Sequence, residues 1–168
     1  MVELKKNKKA LESQKLIYKS LRRILLTKPL SEITVTDIKE DCNISRTTFY
    51  RNFKNVIDVL DVMFDYFYCR YLDQRLDFKN QLLFFFEYWG KHKDLVHIIT
   101  HQIPSVLKNC IKRYTDEEYH NPYFLDLKFA VFSSIICRWS ESKKETPVEL
   151  ETLTKQILNK KILEVLLK

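Results

Sequence analysis

Glycine is almost missing: Gly90 is the single instance in 168 residues, where roughly 7% is usual. Tight hairpin turns and phosphate-cradling loops both draw on glycine, so a hairpin-rich β architecture and a Gly-rich nucleotide loop are excluded. The four cysteines, Cys42, Cys69, Cys110 and Cys137, are widely separated and never in CxxC spacing. Buried free thiols are expected, not a disulfide frame or a zinc ribbon. No apolar run approaches the roughly 20 residues of a membrane span, and the opening MVELKKNKK lacks the apolar centre of a signal peptide, so a cytoplasmic location without membrane attachment is expected. A nucleophile elbow and a metalloprotease helix are also lacking, and the expectation is a non-enzyme with no cofactor.

What is present favours helix throughout. Leu, Lys, Ile and Glu abound, and 168 residues suffice for one good core or two small ones. An all-α fold is predicted. The net charge of +7 is concentrated at one end: residues 1–56 hold 13 Lys and Arg against 6 Asp and Glu, while the remainder balances at 16 against 16. A solubilising lysine-rich tail would give such an excess, and so would a surface that displaces counterions from nucleic-acid phosphate.

The stretch Thr34–Phe53, TVTDIKEDCNISRTTFYRNF, decides between them. Thr34 suits the N-cap of a short helix, with Asp37 three residues on where a carboxylate complements the helix dipole. Val35, Ile38 and Cys42 share one face of that helix. Asn43 follows, one of the few residues that tolerate the left-handed backbone needed to reverse direction. Ser45 then caps a second helix whose inward face is Ile44, Phe49 and Phe53. Outward lie Arg46, Thr47, Thr48, Tyr50, Arg51 and Asn52, a face with hydrogen-bond donors and no acid.

This pattern resembles the helix-turn-helix of the TetR (tetracycline repressor) family of bacterial transcription regulators. The shared positions are Thr34-Val35-Thr36-Asp37-Ile38, then Ile44-Ser45-Arg46, Thr48-Phe49-Tyr50 and Phe53, and the resemblance is specific over about residues 8–70. Where the family usually has glycine, this chain has Asn43 at the turn and Thr47 early in the recognition helix. The second departure places a side chain where base edges lie, so the half-site sequence is not transferable from relatives.

The resemblance implies an N-terminal three-helix DNA-binding domain over 1–55, a C-terminal helical dimerisation and effector-binding domain over 56–168, and about nine helices in all. It implies a homodimer paired through the last two helices in a four-helix bundle, reading a near-palindromic DNA operator. It places Thr36, Arg46, Thr47, Thr48, Tyr50, Asn52 and Lys54 at the DNA. Arg46 and Thr47, at the helix start, suit base edges; Tyr50, Asn52 and Lys54 suit phosphate. Repression relieved by a small-molecule effector is the usual control in the family. Its alternative is an activator or co-regulator whose C-terminal domain binds a protein partner, a loose similarity carried by Trp139 and Thr146-Pro147-Val148-Glu149-Leu150.

Along the rest of the chain, Lys5, Lys6, Lys8 and Lys9 form a basic arm, and Ala10, Ile17, Leu21, Ile24 and Leu25 repeat at helical spacing to about residue 27. Lys28-Pro29 ends that helix. After Lys54-Asn55 a long helix carries Val56, Leu60, Met63, Phe64, Phe67 and Tyr71 on one side, with Asp58, Asp61, Asp65 and Asp73 expected on a solvated flank. Phe78 to Gly90 is a ring-rich helix, with Gly90 as its stop. Shorter helices span Asp94 to about Gln102 and Pro104 to about Tyr114, Pro104 being suited to a first turn. A polar loop from Thr115 to Asn121 precedes the run from Pro122 to Ser142, which is apolar nearly all round and so needs cover on two sides. One final helix follows Pro147.

Two further groups are candidates for ligands. The resemblance places an effector pocket against the fourth helix, where Phe64, Phe67, Tyr68, Phe86, Trp89, His101, Tyr114 and Trp139 would wall it; rings at helical spacing equally make an ordinary core. His97 and His101, four apart, share a helix face that would hold a metal if a third ligand approached, but no local spacing supplies one, and no metal is expected.

Overall fold

The computed structural model describes residues 8–74, 78–115, 117–142 and 144–166, and every α or 3₁₀ element among them is helical. The α-helices are α1 Lys8–Ile24, α2 Val35–Cys42, α3 Arg46–Asn52, α4 Val56–Gln74, α5 Phe78–Gly90, α6 Lys93–His101, α7 Pro104–Tyr114, α8 Pro122–Ser142, α9 Pro147–Ile157 and α10 Lys160–Leu166. The all-α expectation holds. The chain divides into two compact units, residues 1–67 and 68–168, and the division falls within α4.

In the first unit, α1 packs against α2 and α3. Ile17 and Leu21 of α1, Ile38 of α2 and Phe49 of α3 are all completely shielded, and Phe53 closes the cluster at 1% exposure. Burying side chains of this size stabilises the unit by about 1.5–3 kcal/mol each. The buried Ser20 hydroxyl donates to the Ile38 carbonyl at 3.3 Å, fixing α1 against α2 at a point where a larger side chain would hold them apart. Val35, Cys42 and Ile44, expected inward, are half-buried.

Several boundaries differ from the sequence reading, each for a local reason. Helix α1 stops at Ile24 rather than near residue 27: Leu26 and Thr27 bond to carbonyls only three residues back, and Pro29 is extended and lacks an N–H. Lys8 and Lys9 begin α1 instead of lying in an arm; Lys5 and Lys6 fall outside the described residues. Asp65 is buried rather than solvated, while Asp73 is exposed. The single last helix is two: Leu158 is extended, and the Asn159 side chain accepts the Ile162 N–H at 3.0 Å to start α10.

In the second unit, α8 packs against α6 and α7, and α5 packs against α9. Leu95, Val96, Ile98 and Ile99 of α6 meet this core together with Val106, Leu107, Cys110 and Ile111 of α7. Gly90 ends α5, but not as a left-handed stop, because its φ is not positive. A Cβ there would lie 3.3 Å from Trp139 Cη2 and 3.4 Å from Cζ2, so the glycine admits the α8 indole. Trp139 is 2% exposed, meets Phe86 edge-on at 5.5 Å and carries the Lys93 ammonium 4.4 Å above its ring. Along α8, Tyr123, Leu127, Ala130 and Ser134 recur at helical spacing and are exposed, so this near-continuously apolar helix keeps an uncovered flank. Among the described residues no helix is long and apolar enough to cross a membrane.

Candidate nucleic-acid interface

The helix-turn-helix is built by four local devices. Thr34 and Asp37 form a complete capping box: the Asp37 N–H donates to Thr34 Oγ1 at 3.2 Å, and the Thr34 N–H donates to Asp37 Oδ2 at 2.6 Å. The Thr34 hydroxyl and the Thr34 N–H, joined by the Lys28 ammonium at 3.1 Å, hold the Asp37 carboxyl down at about 2. Asn43 takes the left-handed conformation at φ 51°, ψ 49°, and its N–H bonds to the Lys39 carbonyl. Ser45 then caps α3 by accepting the Thr48 N–H at 3.0 Å. Away from the turn, Arg23 of α1 forms an ion pair with Asp41 of α2, which raises the arginine and lowers the carboxyl from their ordinary values.

The seven residues expected at DNA divide into two sets. Arg46, Thr47, Tyr50 and Lys54 are exposed, Tyr50 at 57% with its ring edge-on to the buried Phe49. Thr36 lies half-buried in the first turn of α2 and accepts from Arg46 Nη2 at 3.0 Å. Thr48 and Asn52 already have internal tasks: the Thr48 hydroxyl lies 2.9 Å from Ser45 Oγ, and Asn52 Nδ2 donates to the Thr48 carbonyl at 2.8 Å. Lys54 is placed by its own N–H, which donates to Asp58 Oδ2 at 2.7 Å, while Asn55 caps α4 by accepting the Asp58 N–H at 2.8 Å. The surface around α3 thus presents a guanidinium, an ammonium and hydroxyls, which suits a polyanion. The sequence reading missed Lys28, whose charge neutralises Asp37; its place just before Pro29 gave no sign of a partner nine residues on.

No family model matches the chain. A solved TetR transcriptional regulator from Streptococcus agalactiae 2603V superposes with a TM-score of 0.63, covering 94% of this chain and 95% of that one at 16% identity. The fold is TetR-like. A second solved structure, dihydroxyacetone kinase operon activator DhaS, covers 92% of this TetR-like chain and 94% of its own, with a TM-score of 0.52 and 21% identity. In sequence, the TetR-like chain is similar to the HTH-type dhaKLM operon transcriptional activator DhaS of Lactococcus lactis subsp. lactis (strain IL1403), 25% identical over 174 residues and 90% of both chains.

The residues expected to wall an effector pocket of this TetR-like chain have the following surroundings, each within its own unit. Phe64 is buried and Phe67 half-buried in the first unit, the latter 6.0 Å from the Tyr18 ring. In the second unit, the Tyr68 ring lies tilted against Tyr114 at 5.1 Å and Trp89 at 6.1 Å, and Cys69 Sγ lies 2.9 Å from the Tyr114 hydroxyl. Phe86 and Trp139 form their own buried pair. His101 belongs to neither group. Its Nε2 lies 3.0 Å from Glu141 Oε1 and 3.1 Å from Cys137 Sγ. The Glu141 carboxylate, then the His97 carbonyl, raise the His101 imidazole above its ordinary value, and His101 in turn lowers Glu141; burial, then Glu141, raises the Cys137 thiol. Two side chains of α8, Cys137 and Glu141, thus meet His101, while His97 Nδ1 lies 3.2 Å from Ser140 Oγ. A sequence signal existed in the matching four-residue spacing of Cys137 and Glu141, but only packing puts the two helix faces together.

Proposed function

We propose that this TetR-like chain is a homodimeric, sequence-specific DNA-binding transcription regulator. The observation that carries the reading is the exposed outer face of α3, which carries no acid: Arg46, Thr47 and Tyr50 project from it and Lys54 follows it, on a scaffold fixed by two N-caps and a left-handed turn. Arg46 is the base reader, with a fork that matches guanine O6 and N7, and Tyr50 and Lys54 are the phosphate contacts that set register. The exposed stripe of α8, together with Leu153 and Ile157 of α9 at 45% and 78% exposure, supports pairing of two copies through these helices. Twofold pairing presents two recognition helices to half-sites about 34–36 Å apart, or a multiple of that. A ligand of the second unit that favours one arrangement of the two reading heads would change DNA affinity by linkage.

Two signs of control follow. One is repression relieved by a small molecule near Tyr68, Trp89 and Tyr114, carried over from the resemblance to TetR regulators. Activation is favoured by the activator role of DhaS, to which the chain is similar; in that reading the second unit engages a protein partner. Selection of bound fragments from the source genome tests the shared core of both readings. A recovered near-palindrome supports it, and recovery of no enriched sequence overturns it. Deleting the gene then separates the signs: transcription beside the recovered site rises for a repressor and falls for an activator.

A further inference from the structure

Three side chains from two helices of the second unit point their ligand atoms at one spot. His101 of α6 presents Nε2, and Cys137 and Glu141 of α8 present Sγ and Oε1; all three atoms lie within 4.8 Å of one another. The separations are 3.0 Å for His101 Nε2 to Glu141 Oε1, 3.1 Å for His101 Nε2 to Cys137 Sγ, and 3.9 Å for Cys137 Sγ to Glu141 Oε1. Tetrahedral zinc with ordinary bond lengths needs such ligand atoms roughly 3.3–3.6 Å apart, so shifts of about half an ångström complete the geometry.

The same three residue types also occur in nucleophilic sites, but their arrangement here differs. A relay needs the thiol on one imidazole nitrogen and the acid on the other. In this cluster thiol and carboxylate both face Nε2. The other nitrogen, Nδ1, is engaged by the His97 carbonyl at 2.9 Å and the Thr100 hydroxyl at 3.1 Å. A ring N–H donated to a backbone carbonyl is the usual outer support of a metal-ligating histidine: it fixes the tautomer and leaves the opposite lone pair for an ion. Arg138 Nη1 approaches the second Glu141 oxygen at 4.0 Å, leaving Oε1 directed at the cluster.

We propose that His101, Cys137 and Glu141 form a zinc-binding site that cross-links α6 to α8. A thiolate and a carboxylate balance the charge of the dication, and a thiolate–imidazole–carboxylate set selects a borderline-soft ion over magnesium or calcium. The fourth position is open to water or to His97. The His97 ring lies 4.1 Å from that of His101, its Nδ1 3.2 Å from Ser140 Oγ, and a side-chain rotation would bring it to the ion. The site stands apart from the DNA-binding reading, and its test uses no DNA.

The test is titration of the tag-free, chelator-treated full chain with Zn²⁺ against a chromophoric competitor, and with Co²⁺ as a spectroscopic substitute. One ion per chain is expected, with a near-ultraviolet thiolate-to-cobalt charge-transfer band. Cys137→Ser should abolish that band, whereas Cys42→Ser should retain it. His101→Gln and Glu141→Gln should each weaken zinc at least as much as the roughly 10–100-fold that loss of an outer-shell partner costs. Glu141 is exposed, so Glu141→Gln decides the matter even if Cys137→Ser loses its helical circular dichroism. Absence of the charge-transfer band in the intact chain, or equal zinc affinity in the intact chain and Glu141→Gln, would overturn the site.

Discussion

Arg46 Nη2 donates to Thr36 Oγ1 at 3.0 Å, tying the first turn of α3 to the first turn of α2. The guanidinium is thus held at the edge where both helices begin, and little of its rotamer freedom remains to be lost on binding. Arg46→Ala is expected to relax sequence preference at its base position by about 1–3 kcal/mol. Lys54→Ala should weaken all DNA alike and reduce the salt slope by about one unit. Gel-shift series on matched and mismatched fragments over a range of salt separate the two. If Arg46→Ala shows the uniform loss instead, the base-reading role is wrong.

Asn43 is the only non-glycine residue with positive φ among those described. Asn43→Ala should destabilise the chain by about 1 kcal/mol, since a Cβ without a locally bonding amide is disfavoured there. Asn43→Gly should be neutral or better. Urea unfolding at constant m-value measures both. A stable Ala variant would mean that the turn can relax into another conformation.

The capping box makes the first unit sensitive to acid. The folded-state pKa of Asp37, about 2, lies below its ordinary 3.8, so the stabilisation it provides is complete above the ordinary value and is lost as pH falls toward 2. Asp37→Asn should be less stable than the parent at neutral pH and should lack this part of the acid dependence. Urea midpoints between about pH 2 and 6 for the two chains are expected to converge at the acid end. Parallel curves would remove Asp37 as the cause.

At Gly90 two effects oppose each other. Alanine gains about 1 kcal/mol in helix propensity, but its Cβ would meet Trp139 at 3.3 Å. That indole is buried and hemmed in by Phe86 and Lys93, so it cannot yield. Gly90→Ala should therefore lower the melting temperature, and combining it with Trp139→Phe should cost less than the two changes separately. Strict additivity would show that the close approach is not what selects glycine.

Pairing through α8 and α9 has a direct readout. Leu127→Glu, at a side chain 53% exposed in one copy, should leave helicity unchanged and shift sedimentation from dimer to monomer. A parent chain that sediments as a monomer at every concentration would dispose of the paired arrangement.

What the sequence by itself determined is local. Thr34, Asp37, Asn43 and Ser45 act on backbone groups within four residues of themselves, so the caps, the reversal and the outward face of α3 follow from residue type and spacing alone. The all-α fold follows in the same way from composition and the lack of glycine. Contacts between distant segments were left to the tertiary structure. Lys28 upon Asp37, Asp65 in the interior, Trp139 against Gly90, and Cys137 and Glu141 beside His101 each depend on which helix faces meet. A side chain's spacing fixes its direction from its own helix axis, but its environment is set by neighbours that only the packing of the whole unit brings within reach.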